Sequence, residues 1–165
     1  MPEESALYDQ DFFLWTQQQA AALRRAKDSN LPLDWENLAE EIESLGKSQR
    51  AGLNSQIRRI LRHLFKLEAS PAMNPRTGWR ATIRDARVEI EELLETSPSL
   101  RREIENVVRK QAATAAKLAA ADLEDYGEPA DSIKARLEKG GFTADQVLGD
   151  WFPEAENGAA RETHR

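Results

Sequence analysis

The chain has 165 residues, with 23 basic and 29 acidic side chains and a formal net charge of −6. That length suits one domain with one core, and the acidic balance argues against simple electrostatic wrapping of nucleic acid. The complete lack of cysteine excludes disulfides, thiolate metal sites and cysteine nucleophiles together.

The opening MPEESALYDQDFFLW is acidic and lacks a basic start followed by an apolar run, so no secretory signal is expected. No stretch approaches the roughly 18–20 apolar residues of a membrane-spanning helix. The expectation is a cytoplasmic protein with no membrane partner.

A first helix is predicted from about Asp9 to Lys27. Phe12, Trp15, Gln19, Ala22 and Ala26 follow helical spacing, and Asp9 or Asp11 can cap the open N–H groups. Asp28-Ser29-Asn30 and Pro32 stop it. The second predicted helix is the longest and runs from the cap candidate Asp34 to about Ser70. Leu38, Ile42, Leu45, Gln49, Leu53, Ile57, Ile60, Leu61, Leu64 and Leu67 make a stripe at steps of three and four. Gly46 and Gly52 interrupt the composition but not the period, so each marks a close approach of another helix or a bend.

SPAMNPRT, Ser70 to Thr77, is a proline-punctuated connection. A third helix follows from Thr77 or Gly78 to Glu95, with Trp79, Ile83, Ala86, Ile90 and Leu94 on its apolar face. Ser97-Pro98 predicts the start of a fourth, a cap and then proline at the first helical position. Its small-residue run from Ala112 to Ala121 permits close packing, and Gly127 with Pro129 ends it. A short helix over about 130–139 ends at Gly140-Gly141, and Thr143 with Gln146 forms a capping box for one last turn or two. Trp151-Phe152-Pro153 is expected to pack back on the body, and 154–165 to be a mobile tail. The fold class expected is all-α: a single-domain bundle, residues 1–153, of four main helices with one long central helix and a short helical C-terminal segment.

The segments YDQDFFLWTQQQAAALR, LAEEIESLGKSQR, RHLFKL, GWRATIRDAR, SPSL and DWFP occur in that order between Tyr8 and Pro153. Together they resemble the bacterial domain-of-unknown-function family twenty-nine, common in cyanobacteria and some proteobacteria. LAEEIESLG and WRATI are its most specific pieces. The resemblance implies a compact all-helical bundle and supplies no activity, cofactor or catalytic residue. The chain departs from the family pattern at Leu67, where an aromatic residue is frequent, and follows it only loosely from Asp122 to Gly141.

Three constellations carry possible chemistry. Glu36, Glu40 and Glu43 share one face of the second helix, and Glu89, Glu92 and Glu95 repeat the three-step on the third. Such carboxylates can hold Mg²⁺, although a solvated acidic face is the simpler reading. Arg80, Arg84 and Arg87 share one face of the third helix, and Arg58, Arg62 and Lys66 one face of the second. Guanidinium forks match phosphate or carboxylate oxygens, and pairing of Arg80, Arg84 and Arg87 with Glu40 and Glu43 is the expected use. His63 can move protons near neutral pH, but it has no histidine or glutamate at metal-binding spacing, so no metal site is expected. Trp15 and Trp79 are read as packing anchors.

Charge is also segregated. Basic residues dominate from Lys47 to Ile90 and acidic ones from Asp122 to Glu156, which suggests internal or dimeric neutralisation. The reading reached is a non-enzymatic binding or regulatory module without a cofactor. Its candidate polar cluster is Glu40, Glu43, His63, Arg80, Arg84 and Arg87, acting on a protein partner or a second copy of the chain. The alternatives are a nucleic-acid-binding or toxin–antitoxin-type regulator using the arginine face, and a Mg²⁺-dependent nucleotide pyrophosphohydrolase using the acidic faces.

Overall fold

The computed structural model describes residues 2–154. Among them there are seven α-helices and no strand: α1 Pro2–Gln10, α2 Phe12–Arg25, α3 Trp35–Ala69, α4 Arg76–Thr96, α5 Ile104–Asp125, α6 Asp131–Glu138 and α7 Ala144–Leu148. The all-α class is therefore as expected. Four helices exceed ten residues, and α3, at 35 residues, is the longest. The chain divides into two compact units. Among the described residues, one holds 2–53 with Ile90–Arg102, and the other holds Asn54–Glu89 with 103–154. The expected tail beyond Glu154 lies outside the described residues.

In the first unit, the single helix expected over Asp9–Lys27 is two helices. Asp11 breaks it with an extended backbone, φ −154° and ψ 91°. Its carboxylate accepts from Leu14 N at 2.9 Å, capping α2. The same carboxylate accepts from Ser99 N at 2.7 Å and Ser99 Oγ at 2.9 Å. Ser97 Oγ in turn accepts from Phe13 N at 3.2 Å. Ser97 stands directly before a helical start at Pro98, as predicted. The segment after it, Pro98–Glu103, is a 3₁₀ helix, and α5 begins only at Ile104. Asp34 does cap α3, accepting from Asn37 N at 3.3 Å.

The buried seam of α3 is Ala39, Gly46, Leu53, Ile60 and Leu67, joined from Leu53 onward by Ile57, Leu61, Leu64 and Phe65. Seven residues are nearly two turns, so this seam stays on one side of the helix. Leu38 and Leu45, placed in the predicted stripe, stand one position off the seam and are exposed. At Gly46 the seam residue is small because α2 comes close there. A Cβ on Gly46 would collide with Thr16 Oγ1, whereas one on Gly52 would meet Leu93 Cδ1 at 3.3 Å.

The second unit packs the remainder of α3 and α4 with α5, α6, α7 and the segment after it. Ala112, Ala115, Ala116 and Ala119 are buried on α5, the close-packing use expected of that run. Gly127, at φ 72°, ends α5 with Glu128 N donating to Leu123 O. The predicted capping box of Thr143 and Gln146 is formed. Phe142 sits edge-on to Phe65 at 5.0 Å and beside Trp151 at 5.9 Å.

Candidate functional site

The arginine face of α4 is built at steps of four, four and three from Arg76, Arg80, Arg84 and Arg87. Arg80, Arg84 and Arg87 converge on the Phe152 ring, their guanidinium carbons 5.6, 5.3 and 4.9 Å from its centroid. Arg87 is buried. It donates from Nε to Val147 O at 2.9 Å, and from Nη2 to Gln146 O at 3.0 Å and Trp151 O at 2.8 Å. Arg76, also buried, donates to Leu67 O at 2.6 Å and, at 3.4 Å each, to Ser70 O and Pro153 O. Several of these carbonyls belong to the last turns of α3 and α7, where no intrahelical donor is available. Burial pushes both guanidinium groups below the ordinary arginine value. The expectation that Arg87 faces a partner is thus corrected: it holds the C-terminal segment onto α4.

Of the two expected carboxylate partners, Glu43 is engaged elsewhere. Glu43 accepts from Arg24 Nη2 at 3.0 Å, and the Lys47 ammonium lies 3.8 Å away. Arg24 also holds Glu36 at 3.2 Å. The Arg24 guanidinium keeps the Glu43 carboxyl below its ordinary range. Glu40 is exposed. Among the described residues no group of three or more histidine, aspartate or glutamate side chains is arranged to hold a metal.

His63 lies in the second unit. Its Nδ1–H donates to Arg59 O at 2.8 Å, since a carbonyl can only accept. Burial, with Lys66 and Arg62 adding to it, holds the imidazole below its ordinary value of 6.5. Arg62 grips Asp122 with both branches, at 2.7 and 2.6 Å, and Lys66 reaches the same carboxylate at 3.1 Å.

A different feature of this unit is open. A cavity of about 550 Å³ lies between the 70–75 connection, α4 and the end of α5. Trp79 and Pro75 line one part of it, and Leu123 and Tyr126 another. Trp79 is half-buried, with the Lys66 ammonium 4.9 Å from its ring centroid. It therefore forms a cavity wall as well as a packing contact. Ser70 Oγ donates to Glu128 Oε2 at 2.6 Å, tying the connection to the segment after α5. Tyr126 is 83 % exposed and Met73, within the same connection, 74 %. Glu124, Asp125 and Asp131, close to Tyr126 in the chain, are exposed. Sequence reasoning missed Tyr126 and Met73. The available signal was a methionine in a proline-punctuated connection and an aromatic residue directly before a helix-ending glycine.

Comparison with known proteins gives a consistent result. The family model described as Domain of unknown function DUF29 matches residues 7–152. The chain is similar to a crystal structure of an alpha-helical protein of unknown function from Rhodospirillum rubrum ATCC 11170. That match has 26 % identity and a TM-score of 0.63, and covers 88 % of this chain and 98 % of the other. The search of curated proteins found no match.

Proposed function

The chain belongs to the family Domain of unknown function DUF29, and from its own residues we propose that it is a non-enzymatic binding module for a partner protein. The Trp79–Tyr126 cavity takes an apolar or aromatic anchor residue carried on a basic segment of that partner. The observation carrying this reading is the cavity itself. Its volume falls within the roughly 300–1,000 Å³ of ligand sites, and its wall is ring and hydrocarbon with few polar points. Exposed Tyr126 and Met73 are apolar groups that water solvates poorly, and both suit an adaptable contact surface. The acidic residues around Tyr126 attract a cationic segment and repel an anionic one.

The test is selection of a displayed random peptide library against the whole chain, with affinities then measured by calorimetry. Selected peptides combine an aromatic or leucine anchor with lysine or arginine. Trp79→Ala weakens them by about 2 kcal/mol, the usual cost of truncating a central anchor wall. Enrichment of acidic peptides, or affinities indifferent to both Trp79→Ala and Tyr126→Ala, would contradict the reading. A cavity that instead takes a free apolar small molecule would show no preference for basic flanks.

A further inference from the structure

The sequence Arg58-Arg59-Ile60-Leu61-Arg62-His63 on α3 places four cationic or titratable side chains at steps of one, three and one. They line a recess of about 200 Å³ together with Ser55, one turn earlier, and Leu118 from α5. That volume is below the range of drug-sized sites and suits a small polyatomic anion. The charges in the recess are not balanced. Arg58 Nη1 donates to Gln111 Oε1 at 3.2 Å, a neutral acceptor. Arg62 and Lys66 share the single carboxylate of Asp122. Arg59 is exposed and has no carboxylate partner among the described residues.

We infer that this recess binds the phosphoryl group of a phosphomonoester. Guanidinium groups at Arg58 and Arg59 supply forked N–H donors for its oxygens, and the Ser55 hydroxyl supplies another. Because Nδ1–H of His63 is committed to Arg59 O, Nε2 is the nitrogen left for the ligand. Without an anion, Nε2 protonation is opposed by burial and by Lys66 and Arg62, and favoured by the hydrogen bond to Arg59 O and by Asp122. A bound dianion reverses that balance, so His63 takes up a proton as the ligand enters. The ligand is a terminal phosphoryl group rather than a phosphodiester, because only the former offers three terminal oxygens and two charges to this donor set.

The test is NMR titration of the two histidines of the full chain, His63 and His164, with and without inorganic phosphate. The expected result is an upward shift of the His63 midpoint of about one unit or more, with His164 unmoved. Arg59→Ala, at an exposed position, should keep the native circular dichroism spectrum, lose at least tenfold in phosphate affinity and abolish the shift. Dimethyl phosphate should bind at least tenfold more weakly than phosphate. The proposal is overturned if the His63 midpoint ignores phosphate up to tens of millimolar, or if Arg59→Ala binds as the parent does. An oligonucleotide that binds more tightly than phosphate at physiological salt also overturns it, by making the backbone diester the ligand. These outcomes do not bear on the Trp79 cavity, whose peptide affinities are measured without phosphate.

Discussion

Arg87 brings a charge to a place where three main-chain carbonyls need donors. A hydrogen bond from a charged donor is worth about 1.5–3 kcal/mol, and a buried acceptor left without one costs about 1–3 kcal/mol. Arg87→Ala is therefore expected to lower the unfolding free energy by about 2–4 kcal/mol, measured by denaturant titration. Arg87→Lys should recover little, because an ammonium cannot reach three carbonyls with a planar fork. His63 gives a pH dependence of defined sign. Its folded value lies below the ordinary 6.5, so below that pH the unfolded chain binds a proton that the folded chain refuses. Its contribution to stability is full above 6.5 and falls as pH drops toward the folded value. In phosphate-free buffer, the pH slope of the unfolding free energy between about pH 8 and pH 5 should shrink in His63→Gln. An unchanged slope would assign it to other groups. The helical period placed Arg80, Arg84 and Arg87 on one face correctly. It could not identify their partners, because main-chain carbonyls leave no mark in a sequence and Phe152 lies 65 positions beyond Arg87.

At the scale of the element, α3 shows how small residues set a buried seam. Ala39 and Gly46 hold buried positions that the neighbouring leucines do not, and at Gly46 α2 approaches too closely for a larger side chain. Thr16 is fully buried and its hydroxyl donates to Phe13 O at 2.7 Å, so it cannot swing away from a new methyl group. Gly46→Ala gains about 1 kcal/mol of helix propensity, yet overpacking costs about 1–3 kcal/mol. The expected outcome is a net loss near 1 kcal/mol, relieved when Thr16→Ala is added. Gly52→Ala meets only the end of Leu93 and should be neutral or stabilising. A thermal-melting comparison of the two variants decides this. The periodicity made α3 legible through both glycines, and it flagged each as a possible close approach. It did not show the break at Asp11. That break depends on Ser99, 88 positions away, and a local pattern carries no such information.

For the whole molecule, the segregation of charge is partly answered within the second unit, where Arg62 and Lys66 meet Asp122. Glu124, Asp125 and Asp131 remain exposed and give the Tyr126 region its acidic character. The basic row of α4, which the sequence presents as the obvious recognition surface, is turned onto the chain's own backbone and Phe152. The open apolar feature is instead at Trp79. No helix among the described residues is long and apolar enough to cross a membrane. The expected protein partner would meet the Trp79 cavity, with acidic residues speeding encounter and making affinity salt-dependent. The most direct measurement is an NMR titration of the four tryptophan indole N–H groups with a selected basic, aromatic-anchored peptide. The account predicts a saturable shift at Trp79, little change at Trp15 in the other unit, and weaker binding as salt is raised. Saturable binding that leaves Trp79 unmoved would contradict it.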